Sequence, residues 1–288
     1  MIELIATGTI GALTFVLATL LVWANRKLHV EEDPRIDIVE QMLPLTNCGG
    51  CGYPGCRPFA EALVTGETLP GICNVSSEDG RTRIAEFLGV DVGAQEKQVA
   101  RLACAGGTNV ARNRARYDGM SSCRAATSVA GGGKSCFWGC LGHGDCFDVC
   151  DFDAIHMDEH GLPIVDEDKC TACGDCVDVC PKDLFSLQPV SRRLWVACKS
   201  LEEGDEVLED CEVGCTACGR CAADAPTLIT IENNLPVIDY TQKHNTKIPI
   251  QRCPTGSIVW LDPVTKSPAK GPAAKKIIRK GVLNDAPT

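Results

Sequence analysis

Cys170-Thr171-Ala172-Cys173-Gly174-Asp175-Cys176-Val177-Asp178-Val179-Cys180-Pro181 decides how this chain folds. Its C-x2-C-x2-C-x3-C-P spacing is that of a [4Fe–4S] site, three thiolates wrapping a cubane from a loop while the fourth turns toward a second cluster. The chain holds 20 cysteines in 288 residues, and two rival uses of so much cysteine fail on spacing. Disulfide frameworks belong to short secreted chains, whose cysteines rarely fall two residues apart. Structural zinc wants two pairs separated by a longer loop.

Aromatic residues make up only 5% of the chain, so metal ligation must supply much of the folding energy. The net charge of −10 excludes a general nucleic-acid binder. Two stretches run against that sign: Arg101, Arg112, Arg114, Arg116, Arg124 and Lys134, and a tail with Lys266, Lys270, Lys275, Lys276, Arg279 and Lys280. Both read as solvated surface, with docking of an acidic protein or an anionic lipid as the sharper alternative. No G-x-G-x-x-G and no phosphate loop is present, and Gly131-Gly132-Gly133-Lys134-Ser135 reads as a linker.

Leu4 to Ala24 is a 21-residue run without a charge, about the 20 residues a membrane-crossing helix needs. Glu3 before it and Trp23-Ala24-Asn25-Arg26-Lys27 at its end do not suit a cleaved leader. Arg26 and Lys27 put the following residues on the cytoplasmic side. The expectation is a single-span anchor with every cysteine in a reducing compartment.

Beyond the anchor, Ile36, Val39 and Leu43 recur at helical spacing until Pro44. Asn47-Cys48-Gly49-Gly50-Cys51-Gly52-Tyr53-Pro54-Gly55-Cys56 is a glycine-rich loop. A second helix follows, with Pro58 in its first turn and Gly66 as its stop. With Cys73, the thiols of Cys48, Cys51 and Cys56 complete a four-ligand set for one cluster.

The remainder repeats itself. At an offset of 75, Cys123, Cys136, Cys140 and Cys146 fall on Cys198, Cys211, Cys215 and Cys221. Ala154 to Asp166 and Leu228 to Asp239 each predict a β-hairpin, and Cys180-Pro181 falls near Cys253-Pro254. In the second copy the counterparts of Cys150, Cys170, Cys173 and Cys176 are all lost. Crossed wiring explains the joint loss, because those four form one ligand set. Cys215, Cys218, Cys221 and Cys253 survive as the other set. In the first copy Cys140, Cys146 and Cys180 lack a fourth partner, because His143 stands where the second copy has Cys218. Cys136 is the expected replacement, ahead of His143 or Cys123. Cys104, Cys123, Cys198 and Cys211 are then left over as buried packing thiols, with a fifth cluster as the alternative.

The predicted fold is α+β: a single transmembrane helix (1–27), a small helical [4Fe–4S] domain (32–92) and a linker with basic residues (93–122). A two-cluster ferredoxin-like module (123–190), a degenerate one-cluster module (191–261) and a disordered basic tail (262–288) follow. Four [4Fe–4S] clusters are expected.

The anchor, the Asn47–Cys56 loop with Cys73, the stretch Cys136-Phe-Trp-Gly-Cys140-Leu-Gly-His-Gly-Asp-Cys146 and the repeats resemble the RnfB family. Its members are the B-type subunits of the Rnf complex, the ferredoxin:NAD oxidoreductase of bacterial membranes. The resemblance covers about residues 1 to 260. It implies an electron-transfer subunit of an ion-translocating complex in the bacterial cytoplasmic membrane, with its clusters on the cytoplasmic side. Such a subunit takes electrons from soluble ferredoxin and passes them to membrane and flavin-bearing partner subunits, while Na+ or H+ moves outward. No substrate-converting site and no nucleic-acid partner are expected on this chain. The alternatives are a donor that keeps a redox-sensing regulator reduced, and a zinc scaffold without redox function.

Overall fold

The computed structural model describes residues 2–28 and 33–283. Helix α1 (Ile2–Leu28) contains Thr7–Leu28, 22 residues of mean hydropathy 1.8, long and apolar enough to cross a membrane.

Three helices build the next unit: α2 (Pro34–Met42), α3 (Cys56–Thr65) and α4 (Glu78–Leu88). Asp33 caps α2, accepting from the Arg35 amide, and proline stands in the first turn, where its missing N–H costs nothing. Gly66 ends α3 in the left-handed conformation (φ 77°), as its position predicted. Ile36, Val39, Phe59, Leu63 and Ile84 close the core between these helices.

The rest is built from short strands and helical turns: β1 (Gln98–Leu102), α5 (Cys123–Ser128), α6 (Asp145–Asp148), β2 (Ile155–Met157), β3 (Pro163–Val165), α7 (Asp175–Val179), β4 (Phe185–Pro189), β5 (Leu194–Val196), α8 (Glu206–Asp210), α9 (Arg220–Asp224), β6 (Ile229–Glu232), β7 (Leu235–Ile238), β8 (Ile258–Leu261) and β9 (Pro268–Ala269). Both predicted hairpins form, with Ile155 opposite Val165 and Ile229 opposite Ile238. The second turns through Asn233 and Asn234, both at positive φ (48° and 63°), the residue type that a tight two-residue hairpin loop favours.

Two stretches depart from expectation. The supposed linker 93–122 supplies β1, which pairs antiparallel with β4 from Gln98↔Pro189 to Leu102↔Phe185 and carries the buried Val99 and Ala100. The period was hidden because this strand is buried along three successive residues rather than alternating. The tail after Leu261 is not loose over its described residues. Its strand β9 extends β5–β8 into a three-stranded sheet, Gly271 lies against the Ile250 carbonyl with no room for a Cβ, and Leu283 is buried. Residues 284–288 lie outside the described residues.

Of the basic residues of the first stretch, Arg101 is buried, Arg112 and Lys134 are half-buried, and Arg114, Arg116 and Arg124 are exposed. Arg101 is buried against Glu167, with Arg193 on the far carboxylate oxygen. Arg114 donates to the Ala130 and Gly132 carbonyls, and Lys134 to those of Gly106 and Cys140. Arg114 and Lys134 thus hold loops together.

Candidate iron–sulfur sites

Three loops of one design carry the central thiols. In Cys170–Cys176 and Cys215–Cys221 the third residue is an alanine at positive φ (Ala172 58°, Ala217 52°), and the fifth is a left-handed glycine that starts α7 or α9. Cys140–Cys146 follows the same path with Gly142 and Gly144. That backbone sets the cysteines of each loop around one cavity, with Cys218 still exposed to solvent.

The thiols gather around cavities. Cys150, Cys170, Cys173 and Cys176 line one of about 340 Å³, partly open to solvent and walled by Ala100, Ile155 and Leu187. Cys215, Cys218, Cys221 and Cys253 line a second, also of about 340 Å³. Cys150 follows α6 yet faces the sulfurs of the α7 loop, while Cys180 at the end of α7 faces Cys146 of α6. Each cavity thus draws cysteines from both helices' neighbourhoods. Cys73 lies beside Cys51 and Cys56 in the core of the N-terminal helices, and the charges of Cys48 and Cys51 act on it. Asn47 shapes that loop by accepting from the Cys56 amide at 2.8 Å.

The first-copy site differs from the expected set. Its cavity, about 340 Å³, is lined by Cys123, Cys140, Cys146 and Cys180. Cys136 lies elsewhere, on a cavity of about 380 Å³ shared with Cys104, Cys198 and Cys211. Asp145 is the physical reason. Its carboxylate caps α5, accepting from the Cys123 amide at 2.8 Å, the Arg124 amide at 3.1 Å and the Ser122 hydroxyl at 2.9 Å. The cap swings Cys123 over the Cys140–Cys146 loop, where burial raises its thiol while the amides of Asp145, His143 and Gly144 favour its thiolate. The Cys123 sulfur thus takes the place that His143 vacates, and the His143 ring stacks edge-on against Tyr117. Cys136 was the nearer choice by sequence only. Its side of the loop is pinned by the bridge between Asn113 and Lys134.

Among the described residues no three His, Cys, Asp or Glu side chains converge as a single metal ion requires. Sets of four cysteines at x2, x2 spacing suit a four-iron cube. Burial pushes the thiols of Cys140, Cys146, Cys176 and Cys198 up to about 12, and those of Cys136 and Cys221 up to about 11. Such thiols become thiolates only by exchanging their protons for a metal. Cys253 is the exception. Burial raises it, but the Ile258 amide and the Ser257 and Thr255 hydroxyls outweigh that and hold it below the ordinary thiol range. Backbone amides also point at sulfur from Ala100 to Cys170 (3.5 Å) and from Leu184 to Cys180 (3.4 Å).

The N-terminal site abuts the first repeat copy. Asn74 donates to the carbonyls of Gln98 (2.9 Å) and Thr171 (3.1 Å) and accepts from the Gln98 amide (2.6 Å). Gly50, inside the Cys48–Cys51 loop, lies so close to the Thr171 carbonyl that an added Cβ would sit 2.7 Å away. Two cysteine loops therefore meet backbone to backbone.

The family model described as "Putative Fe-S cluster" matches residues 43–75, and that of a 4Fe-4S dicluster domain matches residues 138–187. The chain is 39% identical to the B-type subunit of the Na+-translocating ferredoxin:NAD+ oxidoreductase complex of Acetobacterium woodii, over 88% of this chain and 77% of that one. It is 38% identical to the B-type subunit of the proton-translocating ferredoxin:NAD+ oxidoreductase complex of Clostridium ljungdahlii, over 89% and 91%. It is 36% identical to the B-type subunit of the ion-translocating oxidoreductase complex of Methanosarcina acetivorans, over 76% and 83%.

Proposed function

The chain belongs to the RnfB family, the B-type subunits of ion-translocating ferredoxin:NAD+ oxidoreductases, and from that membership we propose that it conducts electrons from soluble ferredoxin toward the membrane and flavin-bearing subunits of such a complex. It is an iron–sulfur electron-transfer subunit. The observation that carries the reading further is the contact of successive cysteine loops, above all Gly50 against Thr171. Four ligand sets are assigned: Cys48, Cys51, Cys56 and Cys73; Cys150, Cys170, Cys173 and Cys176; Cys123, Cys140, Cys146 and Cys180; and Cys215, Cys218, Cys221 and Cys253. A bound [4Fe–4S] cluster takes up and gives back one electron at a time.

The residues around each set do the rest. Amides aimed at sulfur and the hydroxyls around Cys253 stabilise negative charge on the thiolates, one of the levers that set a cluster's potential. Apolar walls such as Ile155 and Leu187 keep water away. Cys218 is exposed, so the Cys215–Cys253 set is the natural meeting point for ferredoxin. The N-terminal set, nearest in sequence to α1, is the natural exit. In this reading α1 crosses the membrane once, with Arg26, Lys27 and all the cysteines on the cytoplasmic side.

The anaerobically purified full chain, mixed with reduced ferredoxin, tests the proposal. Its absorbance near roughly 400 nm, the band of oxidised clusters, should bleach as the ferredoxin is oxidised. A band left unchanged beside still-reduced ferredoxin would overturn it.

A further inference from the structure

We propose that Cys104, Cys136, Cys198 and Cys211 hold a fifth [4Fe–4S] cluster, seated between the two repeat copies. The proposal rests on the iron–sulfur reading of the other sites and adds one that their motifs do not announce.

The four thiols come from four separate stretches: after β1, before the Cys140 loop, after β5 and at the end of α8. All four are free. Thiols used merely as packing would be scattered singly through apolar cores. These instead line one pocket together, as the cysteines of the three other sets do. Ala103, Ala197, Val207 and Val213 give it apolar walls.

The sulfurs are prepared as the motif-bearing ones are. Cys104 Sγ accepts from the amides of Gly106 (3.4 Å) and Cys140 (3.5 Å), and Cys198 Sγ from that of Cys215 (3.3 Å). Gly106 keeps the space open, since a Cβ there would approach Cys211 Sγ to 3.2 Å and Cys104 Sγ to 3.7 Å. Lys134 lines the same cavity, its ammonium fixed by the Gly106 and Cys140 carbonyls. A partly buried cation beside a four-thiolate cluster offsets charge that a low-dielectric interior would otherwise disfavour.

Position gives the site its purpose. Cys140 belongs to the first-copy set and its amide reaches Cys104; Cys215 belongs to the second-copy set and its amide reaches Cys198. A cluster here is one hydrogen bond from each neighbouring set. Held there, a cluster would relay single electrons between the second-copy and first-copy sets. The repeat explains the ligands in part: Cys136 and Cys211 each stand four residues before the first cysteine of their loop, and each points away from that loop's own site.

Iron and acid-labile sulfide, counted per full-length chain after anaerobic purification, test this. Five cubanes give about 20 of each in the wild type, and Cys198→Ala/Cys211→Ala should hold about 16. Cys104→Ala should also fall short of the wild type. A wild-type count of about 16 would overturn the fifth site and leave the other four standing, and this result needs no variant to fold. Zinc bound without matching sulfide in the wild type would overturn it equally. A wild type with neither iron nor sulfide would overturn the iron–sulfur reading beneath it.

Discussion

Asp145 shows how much one side chain fixes. Three hydrogen bonds from its carboxylate place Cys123 over a loop that lacks a cysteine of its own. Asp145→Ala should therefore cost the Cys123, Cys140, Cys146 and Cys180 site its iron. Quantitative EPR of the reduced chain should show the loss of one signal, as in Cys123→Ser. Glu167 is a second such position. Its buried carboxylate neutralises Arg101 of β1 and Arg193 just before β5. Glu167→Gln leaves two buried guanidinium groups without a counter-charge and should cost about 3–5 kcal/mol, read as a lowered denaturation midpoint. At this scale the sequence was legible where a motif is local. The loops at 48–56, 170–176 and 215–221 each bring three cysteines together within a few residues. Cys123 was not legible, because what brings it to Cys140 is a cap from a residue 22 positions away. The two hairpins were readable from their own apolar runs and turn residues, whereas Cys104 has no repeat counterpart to give it away.

At the scale of elements, the strands at the two margins of the repeats do more than their sequence suggests. Strand β1 completes the first copy from outside it, and β9 completes the second. The tail is then fastened by Arg279 to Glu212 (3.0 Å) and by the Leu283 amide to the Thr108 carbonyl (2.7 Å). Deleting residues 267–288 should uncover the edge of β8 and the apolar contacts of Ile277 with the Val110–Val213 cluster. The expected outcome is faster limited proteolysis around Cys211 and earlier bleaching in air. A periodicity scan misses β9 because it is two residues long, and its partner strand is the element that defines it. Such short strands form only when a sheet edge is already there to receive them.

At the scale of the whole molecule, the described residues build four small apolar cores, each of which takes in at least one buried cysteine. Asn74 and Gly50 join the N-terminal unit to the first copy, and the Trp195 indole, donating to the Leu102 carbonyl at 2.8 Å, joins the copies. Asn74→Ala removes three hydrogen bonds at the first junction and should weaken it by about 1–3 kcal/mol. Gly50→Val should hold the Cys48–Cys51 loop away from Thr171. Both variants should keep their iron but slow the reduction of the N-terminal cluster, a separation that stopped-flow absorbance can resolve.

The central claim is that the clusters form one continuous relay along the chain. Freeze-quench EPR after mixing the full chain with reduced ferredoxin tests it most directly, with the Cys198→Ala/Cys211→Ala chain alongside. In the wild type, electrons that appear at the Cys215–Cys253 cluster should reach the N-terminal cluster in the same experiment. In the variant, the second-copy signal should still appear while the first-copy and N-terminal signals lag far behind. Equal rates of reduction at all sites in both chains would contradict the relay.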